Sequence, residues 1–148
     1  MLLMIGLALG CPPDNVAHHA GVDFHWHFDG DVLHGRAQAP GPGWIAVGFN
    51  DRAELAGTRL VMLAVHDGVP VGEEHRAEPP RHPRHHVLDE VAGERDGGGV
   101  DIVFTIPLDR PALLTLAPGD AVWLTLAWSR SPDFDHHSVR REARWIRL

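Results

Sequence analysis

Lysine is missing from this chain of 148 residues: all 13 basic side chains are arginine, set against 20 acidic ones for a formal charge of -7. An acidic chain with no basic cluster gives nucleic-acid phosphates little to bind, which argues against that class of partner. The one locally basic stretch, residues 138–144, is short and interrupted by Glu142, the pattern of a solvated strand edge. Cys11 is the only cysteine, so neither a disulfide within the chain nor a thiolate zinc or iron–sulfur site can form. No Gly-rich phosphate loop follows a strand pattern, no Gly-x-Ser-x-Gly elbow occurs, and no nucleophile stands beside a base. Those absences argue against an independent enzyme. Sustained helical periodicity is missing as well.

Residues 2–10 form an uninterrupted apolar run ending at Cys11. The run is too short to span a bilayer, which takes ~20 residues. It fits the apolar part of an export signal. Ala8-Leu9-Gly10-Cys11 resembles a bacterial lipoprotein signal, in which the cysteine is lipidated and becomes the mature N-terminus. The expectation is an export signal over residues 1–11, a tether over 12–21, and one domain over 22–148; plain secretion and a buried N-terminal strand are the alternatives for the apolar run. Such a chain is extracytoplasmic and touches the membrane only through a lipid on Cys11. A chain of this length buries about 70% of its unfolded surface, enough for one core.

What remains reads as strands. Val22, Phe24, Trp26 and Phe28 alternate with Asp23, His25, His27 and Asp29. That is a period-two strand with one apolar and one polar face. Asp29-Gly30-Asp31 makes a turn, and residues 32–37 return. Residues 43–49 and 60–65 are apolar on both faces, as central strands are. Residues 73–86 are polar and read as a long loop. Asp96-Gly97-Gly98-Gly99 is a turn, after which Val100, Ile102, Phe104 and Ile106 alternate. Residues 107–118 are a connection with room for one helical turn. Two further strand runs, 122–128 and 143–148, close the chain. Short strands with Gly, Asp and Pro punctuation predict an antiparallel β-sandwich or barrel.

The 12 histidines supply the candidate ligands. A neutral imidazole donates a lone pair to a metal near physiological pH. His25 and His27 share one face of a strand, where they suit either copper or zinc or simply a wet surface. His82, His85 and His86 lie among arginines, which disfavour a bound cation. His18 and His19 lie in the tether with no assigned role. His136 and His137 sit between the last two strands, in Asp133-Phe134-Asp135-His136-His137-Ser138. Adjacent residues on an extended segment face opposite sides, so one of the two is expected inward. Asp133 and Asp135 are candidate Ca²⁺ ligands or plain solvated charge, and Glu73-Glu74 reads as solvated charge.

Several of these segments together resemble the DOMON domain family. They are the opening Phe-x-Trp-x-Phe strand, Gly43-Trp44-Ile45-Ala46-Val47-Gly48-Phe49-Asn50, and Leu55-Ala56-Gly57-Thr58-Arg59-Leu60-Val61-Met62 followed by Asp67-Gly68. Val103-Phe104-Thr105-Ile106-Pro107-Leu108-Asp109 and the Ala127-Trp128-Ser129 segment running to His136-His137-Ser138 complete the order. The resemblance covers about residues 22–148. It implies an all-β, immunoglobulin-like antiparallel sandwich that binds b-type haem or sugars, with electron transfer to a redox partner in the cytochrome members. In those members a Met and a His hold the iron. The His falls on His137, with His136 the adjacent alternative. The Met falls on Leu55, which cannot ligate iron. A cofactor pocket at the end of the sheets is expected to draw on Trp44, Met62, Trp128, His136 and His137. Met62 and the two tryptophans also suit plain core packing. The competing reading is an accessory module that binds a glycan, a metal ion or a partner protein.

Overall fold

A computed structural model describes residues 15–148. The apolar run and Cys11, read as a lipoprotein signal, lie outside the described residues. Eleven strands follow one another: β1 (Asn15–His19), β2 (Val22–Asp29), β3 (Val32–Ala39), β4 (Ile45–Asn50), β5 (Arg59–His66), β6 (Val69–Arg76), β7 (Arg84–Val87), β8 (Val91–Asp96), β9 (Gly99–Pro107), β10 (Ala121–Trp128) and β11 (Arg140–Arg147). They form a five-stranded sheet, β1-β2-β3-β9-β8, and a six-stranded sheet, β11-β10-β4-β5-β6-β7. Every pairing is antiparallel. The molecule is the all-β sandwich that the strand spacing predicts.

Alternation sets which side chains enter the core. Val22, Phe24 and Trp26 of β2 point inward, while Asp23, His25 and His27 point out. Phe24 stacks on Trp26 at 5.2 Å and on Phe104 at 6.2 Å, and meets Phe49 of the opposite sheet edge-on at 6.2 Å. Burying each such ring or branched chain contributes roughly 1.5–3 kcal/mol, so this layer dominates the stability of the fold. The central strands β4 and β5 are buried on both faces, as their two-sided apolar composition predicts. Their inner faces join this core, and their outer faces build something else.

Three expectations are corrected. Residues 15–19, assigned to the tether, form edge strand β1 against β2, and His19 is buried with its Nε2 3.0 Å from the Leu124 carbonyl. Residues 73–86 are not one loop: they hold the end of β6, a short connection and the start of β7. Residues 107–118 contain no helical turn; the connection is anchored instead by Arg59. The Arg59 guanidinium donates to the Leu108 and Leu114 carbonyls at 2.8 and 2.9 Å, and its Nε donates to Glu74 Oε1 at 2.7 Å. Glu74, expected to be solvated, is fully buried and also accepts from Arg110. Burial forced that pairing, because a lone carboxylate in the interior is too costly to keep.

A candidate ligand groove on the six-stranded sheet

The outer face of the six-stranded sheet carries a second apolar cluster, separate from the inter-sheet core. Strand register builds its floor. Ala127, Ala46 and Met62 lie side by side across β10, β4 and β5. The next row on that face is Thr125, Gly48, Leu60 and His75. The small residues keep the floor low. A Cβ on Gly48 would lie 2.8 Å from the Thr58 methyl and 3.0 Å from the Leu60 side chain, so any larger residue there would have to displace them.

Two loops roof this floor, and they spring from opposite ends of the sheet. Residues 129–139 leave β10 at Trp128, which pairs with Ile45 at the start of β4. Residues 77–83 leave β6 at Arg76, which pairs with Arg59 opposite the far end of β4. Between the loops lies a groove of about 450 Å³. Small-molecule sites typically measure ~300–1,000 Å³.

The β10–β11 loop is held tightly. The Trp44 backbone N–H donates to the Ser131 carbonyl at 3.0 Å, and Ser129 N–H donates to the Trp44 carbonyl at 2.9 Å. This approach is so close that a side chain on Gly43 would collide with the Ser129 carbonyl and the Ser131 backbone. Trp44 Nε1–H then donates to the His136 carbonyl at 3.0 Å, and the Ser129 hydroxyl donates to the His137 carbonyl at 3.0 Å. His136 N–H closes a turn onto the Asp133 carbonyl at 2.9 Å. The two imidazoles stack at 4.4 Å with planes 25° apart. Both border the groove, and both remain exposed. The expectation that only one faces inward assumed extended backbone; the turn puts both on one side.

His136, His137, Trp44 and Met62 therefore meet at one groove, joined by Leu55. Trp128 does not join them. Its ring packs against the inter-sheet core, and its Nε1–H donates to the Ala20 carbonyl at 2.9 Å. The groove also lies on the outside of one sheet and not at the end of the sandwich, because the aromatic layer around Phe24 fills the space between the sheets. Trp44 is buried beneath the loop, so its ring offers no open face for stacking on a sugar.

Sequence reasoning missed His75, read Glu73 as solvated charge and grouped His82 with His85 and His86. His75 and Glu73 lie two apart on the outer face of β6, a strand hidden by its polar composition. His75 Nε2 lies 2.8 Å from Glu73 Oε1, and its Nδ1 lies 2.7 Å from His82 Nδ1. Burial pushes the His75 imidazole below its ordinary pKa, against the opposing pull of Glu73. His82 lines the groove and pairs with His75, not with His85 or His86. Phe134, from the other loop, sets its edge on the His75 ring at 5.8 Å. The side-chain oxygen of Asp133 accepts from the Asp135 backbone N–H at 3.0 Å, so it serves the turn itself.

A larger hollow, about 550 Å³, lies on the outer face of the five-stranded sheet, bordered by His25, His27, His34 and Arg36. His27 and His34 stack at 4.7 Å, and Arg36 pairs with Asp101 at 2.7 Å. Among the described residues, no group of three or more His, Cys, Asp or Glu side chains is placed to hold a metal ion. We place the site at the smaller groove, because loop, floor and imidazoles converge there.

The chain overlays the cytochrome b domain of pyranose dehydrogenase from Coprinopsis cinerea with a TM-score of 0.65. That match has 12% identity and covers 86% of this chain and 77% of the other. It has the fold of a cytochrome b domain. The cytochrome domain of Myriococcum thermophilum cellobiose dehydrogenase gives a TM-score of 0.60 at 9% identity, over 86% of this chain and 74% of that one. No protein-family model matches the chain, and no curated protein matches it by sequence. The sandwich implied by the DOMON resemblance is thus the sandwich observed, and it is the cytochrome b architecture.

Proposed function

We propose that this chain is a b-type haem-binding module that passes single electrons to a redox partner, with iron held by His137 or its neighbour His136. The observation that carries this reading is the meeting of two exposed imidazoles with an apolar floor under one roofed groove. The residues suit the group. Ala46, Leu60 and Met62 offer a flat apolar bed for a porphyrin face, each square ångström covered contributing roughly 25 cal/mol. Arg81 and Arg141 border the groove and supply guanidinium partners for propionate carboxylates. A single cysteine cannot form the two thioether bonds of covalent attachment, which favours the b-type.

Bound there, haem supplies one-electron redox chemistry. The protein's own part is to bind and orient. Trp44 and Ser129 fix the backbone of both histidines, and Met62 and Leu55 keep water off the groove floor. Binding and electron transfer, without turnover of a substrate, is the role this arrangement supports. Titration of the full chain with haemin tests it. The expected result is a sharp Soret band, shifted from that of free haemin, that saturates at one haem per chain and is weakened in the His136→Ala, His137→Ala double variant. Single variants then assign the ligand. A Soret band no different from that of free haemin would overturn the proposal.

The module is further proposed to work outside the cytoplasm, anchored through a lipid on Cys11. The apolar run before that cysteine supports this. Fatty-acid labelling that survives Cys11→Ser would rule it out.

A further inference from the structure

We infer that His82 is the second iron ligand of this groove, presented by a Glu73–His75–His82 hydrogen-bonded chain in place of the Met that Leu55 cannot supply; the inference rests on the haem reading above. The chain of contacts fixes which nitrogen is free. At 2.8 Å a Glu73 carboxylate oxygen accepts from His75 Nε2–H. With its proton on Nε2, the His75 ring presents a lone pair at Nδ1. The 2.7 Å contact between the two Nδ1 atoms requires a proton, which His82 must provide. His82 Nδ1 is thereby committed as a donor, and Nε2 is left with the lone pair. Nε2 makes no hydrogen bond among the described residues. A carboxylate that orients one imidazole through another is the support a ligating histidine needs, since the outer partner sets tautomer and ring orientation.

The surroundings hold His82 in place. Glu78 and Arg81 exchange backbone hydrogen bonds, both 2.8 Å, closing the turn immediately before it. Arg84 donates to the second Glu73 oxygen at 3.2 Å, which keeps that carboxylate aimed. His75 is 4% exposed, so water does not compete for the relay. His82 and the His136–His137 pair come from the two different loops that roof the groove, and all three border it. A planar ligand lying in the groove is therefore met by imidazoles from two separate loops. Leu55 and Met62 also border it, but Leu55 has no lone pair, and Met62 is 2% exposed in the floor.

The test is the spin state of the haem-loaded full chain, read by optical and electron paramagnetic resonance spectra. The parent is expected to be six-coordinate and low-spin. His82→Ala is expected to retain the Soret band, turn high-spin, and return to low-spin when imidazole is added. His82→Gln, which keeps a donor for His75, guards against a folding defect and should behave likewise. Glu73→Ala should weaken haem binding by about 10- to 100-fold, as loss of an outer partner does. A low-spin His82→Ala protein without added imidazole, or a high-spin parent, would overturn the assignment while leaving haem binding intact. A parent that takes up no haem would overturn both readings. In the haem-free protein, nitrogen-15 shifts should show the His82 proton on Nδ1; a proton on Nε2 would refute the relay directly.

Discussion

His19 shows how one side chain can carry a pH response. Its imidazole is 3% exposed, and burial pushes its pKa down from 6.5, outweighing the hydrogen bond to the Leu124 carbonyl that pulls it up. The unfolded chain therefore takes up the proton before the folded one does. The stability contributed by neutral His19 is complete above about pH 6.5 and drains away as pH falls through the depressed folded value. His19→Gln keeps a donor for the Leu124 carbonyl and does not titrate. Urea unfolding at about pH 7 and pH 5 should show a smaller loss in the variant than in the parent. Equal losses would mean that His19 is not held neutral. Nothing around His18-His19 in the sequence announces this, because a strand of five residues with two histidines looks like a polar tether. Trp44 makes the complementary case. Its ring was legible as a groove or core residue, but its hydrogen bond to the His136 carbonyl was not. Trp44→Phe removes that one donor and should cost about 1 kcal/mol in a denaturant titration. If the hydrogen bond holds the loop, haem affinity falls with it; an unchanged affinity would show the loop is fixed by its other backbone bonds.

At the level of elements, all interior strands but β6 were legible, whereas of the four edge strands only β11 was. Strands β2, β4, β5, β9 and β10 carry apolar residues at every second position or on both faces, and the sequence places each of them. The strands that escaped, β1, β7 and β8, all lie at a sheet edge. An edge strand covers one face at most, and polar side chains there discourage pairing with another chain. Its composition then looks like a loop. Strand β6 escaped for a different reason: it carries Glu74, whose burial is made tolerable by partners distant in sequence, Arg59 and Arg110. No local pattern encodes such pairings. The Arg59–Glu74 pair gives that element a measurable signature. Glu74→Ala strands a guanidinium with no carboxylate in the interior and should destabilise the fold by about 3–5 kcal/mol. Changing Arg59→Met together with Glu74→Leu removes the stranded charge but leaves the Leu108 and Leu114 carbonyls unpaired, so only part of that loss should return. Denaturant unfolding of the three proteins decides it. A loss under about 1 kcal/mol for Glu74→Ala would show that water reaches the pair.

For the whole molecule, the decisive feature is that the groove and the core use opposite faces of the same six-stranded sheet. Sequence patterning located the sheet, and the DOMON resemblance located the histidine turn. Which face the turn covers depends on how residues 129–139 fold back over Gly43 and Trp44, and that is a contact between segments about 90 residues apart. The separation of faces has a thermodynamic consequence. Side chains of the histidine pair are exposed and contribute nothing to the inter-sheet layer, so removing them should leave the haem-free fold within about 0.5 kcal/mol of the parent. A ligand that binds only the folded state stabilises it by mass action, by about 2.7 kcal/mol at a free concentration 100 times the dissociation constant. Haemin should therefore raise the thermal midpoint of the parent and raise that of the His136→Ala, His137→Ala variant less. If that variant melts well below the parent with no haemin present, the loop belongs to the cooperative core after all. A weakened Soret band in it would then report unfolding, and iron ligation would have to be assigned from His82→Ala and the single histidine variants alone.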